Sequence, residues 1–150
     1  MPIMKLPIIA PVAALLALQP ALGGTLKLTG NRSVTVEITL KEATLASGAA
    51  GEMAISFAPA AGIHVNSTPA PEFTLDSSSL ASLSGRLTFP KGTQYLKPAS
   101  AVKQRFQLSR GAKPGPVTLK GTLTYYFCSD KEGWCSKYKQ PVEIALTVRR

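Results

Sequence analysis

An all-β sandwich is the fold class that this sequence predicts, on three observations. Val34, Val36, Ile38 and Leu40 alternate strictly with Thr35, Glu37 and Thr39, and the same period of two returns in Val117–Phe127 and Val142–Val148. Such alternation marks strands with one buried face. Clusters of Gly, Pro, Asn and Ser fall between these segments at short intervals, as turns between sandwich strands do. A helical period is sustained nowhere; Ser78–Leu83 is expected to make one short turn at most. A chain of 150 residues then has room for one domain of several short strands.

Taken in order, the first element is not part of that domain. Met1–Gly23 carries Lys5 ahead of an apolar stretch, Leu6–Leu18, followed by Gln19-Pro20 and the ending Ala21-Leu22-Gly23. A charged start, an apolar middle and a short cleavable end describe a secretory signal peptide. Broken by Pro7 and Pro11, the stretch falls short of the ~20 residues that a membrane-spanning helix needs. The expected mature domain is therefore residues 24–150, exported. Its first clear strand is Ser33–Leu40. Weaker strands are expected at Glu52–Ala58, Glu72–Asp76, Gly85–Phe89 and Val102–Ser109, and the two alternating segments close the chain. Turns separate them at Gly30-Asn31, Ser47-Gly48, Pro59–Gly62, Pro69-Ala70-Pro71, Pro90–Gly92 and Gly111–Pro116.

Charge is distributed unevenly. Gly24–Leu83 holds three basic and five acidic residues, whereas Ser84–Arg150 holds thirteen basic and three acidic. The basic half suits steering toward acidic proteins or anionic surfaces, or simple solvation. Nucleic acid is not an expected partner, because no aromatic–basic binding pattern accompanies the charge. No phosphate-cradling glycine loop, nucleophile elbow or paired carboxylate set is visible, so hydrolase chemistry has no candidate and no cofactor is expected. His64, beside Val65 in a strand, reads as structural. Asn31-Arg32-Ser33 and Asn66-Ser67-Thr68 match the glycosylation acceptor pattern, which matters only in a eukaryotic secretory path.

The candidate site is the pair Cys128 and Cys135, placed between two strong strands and so at one end of the sandwich. Outside the cytosol such a pair is expected to be oxidised at least part of the time. Closing so short a loop stabilises the fold by roughly 2.5 kcal/mol in the chain-entropy estimate. Alternation places Cys128 with Thr122, Thr124 and Tyr126, opposite the core series, which favours access from outside. Lys131 and Lys137 favour a thiolate; Asp130 and Glu132 oppose it. Tyr126 and Trp134 are placed to shield the sulfurs or to pack a partner. Three readings stay open on the residues alone: thiol–disulfide exchange, a hairpin staple in a non-catalytic binding module, and soft-metal handling by the thiolates. A tetrahedral site built on two Cys and His64 would be one ligand short, so no metal site is expected.

Several segments in order resemble the amino-terminal periplasmic domain of the thiol:disulfide interchange reductase DsbD family. They are Gly62-Ile63-His64-Val65-Asn66 with Pro69, then Leu87-Thr88-Phe89-Pro90-Lys91-Gly92. Gly121-Thr122-Leu123-Thr124-Tyr125-Tyr126-Phe127-Cys128 follows, then Gly133-Trp134-Cys135 and Pro141-Val142. The resemblance runs from about Val34 to Val148. It implies an immunoglobulin-like sandwich whose hairpin cysteines relay electrons from a membrane-embedded reductase to periplasmic disulfide proteins. It also implies that Cys135 bonds to the partner while Cys128 resolves the mixed disulfide. The family's shielding cap falls at Gln94–Ala99, where Tyr95 is the one aromatic and no acid stands. Six residues separate the cysteines, one more than that family leads one to expect, and Ser136-Lys137-Tyr138 stands where prolines usually follow.

Overall fold

The computed structural model describes residues 24–77, 80–90, 94–98 and 100–150. The expected signal peptide, Met1–Gly23, lies outside them. Eleven strands follow in order: β1 (Thr25–Leu28), β2 (Val34–Leu40), β3 (Thr44–Ala46), β4 (Ala50–Pro59), β5 (Ile63–Asn66), β6 (Glu72–Leu75), β7 (Ala81–Thr88), β8 (Tyr95–Leu96), β9 (Val102–Leu108), β10 (Gly115–Ser129) and β11 (Trp134–Arg149). They form two sheets, β1-β2-β4-β9-β7 and β3-β11-β10-β5-β8, with β6 also paired to β10. The protein is an all-β sandwich. Among the described residues no helix is long and apolar enough to cross a membrane.

Alternation builds the core between the sheets. Val34, Val36, Ile38 and Leu40 on β2 are buried, as are Met53, Ile55 and Phe57 on β4 and Val102, Phe106 and Leu108 on β9. Facing them are Leu119, Leu123, Tyr125 and Phe127 of β10 and Val142, Ile144, Leu146 and Val148 of β11. Each such side chain contributes roughly 1.5–3 kcal/mol by leaving water. Several polar groups in this interior find partners. Gln104 Nε2 donates to the carbonyls of Gly85 (3.0 Å) and Arg105 (2.9 Å). Asn31 Nδ2 donates to the Tyr125 hydroxyl, while Asn31 Oδ1 accepts from the N–H groups of Ser33 (2.8 Å) and Val34 (2.7 Å).

Two sequence expectations change here. Leu83 and its neighbours from Ala81 belong to strand β7 rather than to a helical turn, while residues 78 and 79 lie outside the described set. The reason is pairing: Ala81 to Ser84 ladder onto Leu108 to Arg105 of β9, which overrides a weak local pattern. Strands β1, β3 and β8 also appear where no strand was expected.

One hairpin dominates the second sheet. β10 and β11 stay in register from Gly115↔Val148 to Ser129↔Trp134. Along its other edge β10 pairs with β6 from Gly121 to Thr124, and with β5 from Phe127 to Ser129. The β6 contact is close. A β-carbon on Gly121 would lie 2.4 Å from the Thr74 carbonyl oxygen, so only glycine fits. At the far end of the hairpin, which carries the cysteines, β10 is held between β11 and β5.

Candidate functional site

Four residues, Asp130 to Gly133, turn the chain between β10 and β11. Gly133 has a φ of 71°, the left-handed region that glycine enters without a Cβ clash. Its N–H donates to the Ser129 carbonyl (2.8 Å), and the Glu132 N–H donates to Ser129 Oγ (3.3 Å). On the core side, Trp134 packs edge-on against Phe127, ring centroids 6.0 Å apart, and its Nε1 donates to Glu132 Oε2 (2.6 Å). These contacts fix the tip.

One pair back from the tip, Cys128 faces Cys135 across the ladder. Their Cα atoms are 4.1 Å apart and a disulfide of 2.04 Å joins the sulfurs. Both lie on the outer face of the sheet. Exposure then separates them: Cys135 is exposed, whereas Cys128 is buried at 7%. This corrects the expectation that outward alternation leaves Cys128 open to solvent. The outer face at this end is covered by residues from the next strands over. Cys128 pairs with His64 on β5, and β5 pairs with β8 through Val65↔Leu96 and Asn66↔Tyr95.

Those neighbours supply the cover. Asn66 Nδ2 donates to Cys128 Sγ at 3.3 Å. The His64 ring lies against the Tyr95 ring, centroids 3.7 Å apart, and its Nδ1 is 3.3 Å from Asp130 Oδ2. Ser67 holds the approach to β8 in place, its N–H and Oγ both donating to the Gln94 carbonyl. Both cysteines line a cleft of about 360 Å³ walled by His64, Asn66, Tyr95, Asp130 and Trp134.

Tyr95, 37% exposed, and Trp134 share the cleft with Cys128 and Cys135. Tyr126 lies on the same outer face, two residues before Cys128, with Lys137 Nζ 5.7 Å from its ring centroid. Asn66 and the contact between His64 and Asp130 were missed as site features. The signal was available: in Ile63-His64-Val65-Asn66 the two polar residues alternate with apolar ones, which sets both on one face of a strand. Among the described residues no group of three or more His, Cys, Asp or Glu is arranged to hold a metal ion.

No family model matches the chain, and no curated protein matches it. Among solved structures it is similar to the N-terminal periplasmic domain of ScsB from Proteus mirabilis, with a TM-score of 0.48 and 17% identity over 83% of this chain. The chain spans 50% of that one. It is also similar to the yeast GGA1 GAE domain in the structure described as domain-P21, with a TM-score of 0.47 and 15% identity over 81% of this chain and 98% of that one. One sandwich architecture hosts unrelated activities, so the chemistry has to be argued from the site.

Proposed function

We propose that residues 24–150 form an exported thiol:disulfide exchange domain, in which Cys135 meets the partner's sulfur and Cys128 is released and recaptured. The unequal exposure of two bonded sulfurs at the tip of a hairpin carries this reading. Exchange requires an attacking thiolate to reach one sulfur in line with the bond that breaks. Cys135 offers that approach; Cys128, beneath Asn66 and beside His64, does not.

A partner thiolate attacks Cys135 Sγ, and the bond to Cys128 breaks with its electron pair going to Cys128 Sγ. The products are a mixed disulfide at Cys135 and a Cys128 thiolate, which takes a proton from solvent. A second partner thiolate then attacks the partner's own sulfur in that mixed disulfide and releases Cys135, which is protonated in turn. Two electrons have passed from a partner dithiol to this disulfide, and the reverse sequence hands them to an oxidised protein. Tyr95, Tyr126 and Trp134 flank the pair as the surface that a partner packs against. The resemblance to the DsbD family supports a periplasmic setting, with a membrane-embedded reductase as donor and periplasmic disulfide proteins as acceptors.

Trapping tests the assignment. With Cys128→Ser, the free Cys135 should accumulate a mixed disulfide with an exported protein, because no second sulfur remains to resolve it. Cys135→Ser should give little adduct through buried Cys128. Absence of an adduct in the first variant, with biological activity intact when both cysteines are replaced, would instead establish a binding module with a stapled hairpin.

A further inference from the structure

We infer that Asn66 is a catalytic residue of this exchange: its side-chain amide takes up the charge that develops on Cys128 Sγ as the disulfide opens. The inference rests on the exchange reading above and adds to it the group that makes Cys128 a competent leaving sulfur. When a thiolate attacks Cys135, the negative charge appears on Cys128, the buried member of the pair. Burial alone opposes that charge. Asn66 Nδ2 already sits 3.3 Å from the sulfur, an oriented donor aimed where charge will form. Hydrogen bonds to a charged partner are about twice as strong as neutral ones, so this contact strengthens as the S–S bond breaks.

The other end of the same amide points the same way. Among the described residues, Asn66 Oδ1 is buried without a hydrogen-bond partner in the disulfide form. Buried acceptors of this kind are scarce in folded proteins and call for an explanation. A disulfide sulfur has no proton to give, but a Cys128 thiol has one, and rotation of the amide brings Oδ1 to it. The amide therefore serves reduced Cys128 in either protonation state, donating to the thiolate or accepting from the thiol. Toward the disulfide it has only a weak sulfur acceptor. The reverse orientation would set an amide oxygen against sulfur lone pairs, so the donor end belongs where it is.

Position supports the role. Asn66 is fixed between β10 and β8, paired with Tyr95 on one side and following His64 and Val65, which ladder onto Cys128 and Phe127. Titratable groups around Cys128 come from every neighbouring element: His64 on β5, Tyr95 on β8, Asp130 in the turn, Tyr126 on β10 and Lys137 on β11. The test has to separate the amide from these.

Asn66→Leu removes the donor at similar size, and Asn66→Asp replaces it with a like charge. Each is compared with the parent protein in two measurements. In a Cys135→Ser background, thiolate absorbance against pH gives the ionisation of Cys128; in the intact pair, dithiothreitol gives the rate of disulfide opening. Asn66→Leu should raise the Cys128 pKa by about one unit and slow opening roughly tenfold, with a larger loss for Asn66→Asp. The disulfide should become harder to reduce by about 30 mV for each tenfold in equilibrium. Asn66→Gln, which keeps the amide, should recover part of the loss. Unchanged Cys128 ionisation and unchanged opening rate in folded Asn66→Leu would overturn the inference, whatever happens to thermal stability. Neither measurement uses a protein partner, so they stand apart from the trapping result: failure to trap a protein partner would remove the biological reading and leave this one to be judged on its own data.

Discussion

Cys128 and Cys135 are identical in type and directly opposed in register, yet one is buried and the other exposed. The prediction that follows is kinetic. In the reduced protein, iodoacetamide should modify Cys135 at least several times faster than Cys128, read by mass spectrometry of the peptides; equal rates would contradict the asymmetry. Half of this was legible in the sequence. The pairing of the two cysteines across a hairpin follows from alternation on either side of Asp130–Gly133. The burial of Cys128 does not, because its cover, His64, Asn66 and Tyr95, comes from strands that are distant in the chain. Beneath the site, Tyr125 shows burial acting on a titratable group. Loss of hydration, partly offset by the Asn31 hydrogen bond, pushes its pKa up to about 12 from 10.0. As pH rises past 10 the unfolded chain gives up a proton that the native state keeps, so stability falls. Tyr125→Phe should flatten that alkaline decline in urea titrations between about pH 10 and 12, and an unchanged slope would contradict it.

The strands differ in how openly they declared themselves. β2 and the second half of β11 carry four apolar residues each at perfect period two, and both appear where the alternation put them. β1, β3 and β8 hold only two to four residues, too few for any period to register, and exist because a longer strand offers them an edge. β7 was half legible: it starts at Ala81, not Gly85, and as an edge strand with an irregular register between Ser84 and Thr88 it lacks clean alternation. The β6–β10 contact supplies a prediction for packing between strands. Gly121→Ala drives a methyl toward the Thr74 carbonyl and the Phe73 ring, and should cost about 1–3 kcal/mol in urea unfolding as β6 is displaced. Disulfide opening by dithiothreitol should change little, because β5 rather than β6 covers the cysteines. A neutral effect on stability would mean that β6 has room to shift.

The sandwich as a whole is expected to stand without its disulfide. Its core is a continuous apolar layer between two sheets, whereas the bridge closes a short loop at one tip. Reduction should therefore lower stability by no more than roughly 2.5 kcal/mol and leave the far-ultraviolet circular dichroism of a β protein intact. Collapse on reduction would assign the bridge to folding. A body that survives both redox states is what the proposed exchange requires. The most direct measurement is the reduction potential of the Cys128–Cys135 pair, taken by equilibration in glutathione buffers with Trp134 fluorescence as the signal. An exchange domain should titrate above about −300 mV, within reach of other thiol couples; a value well below that belongs to a structural bridge and would contradict the account.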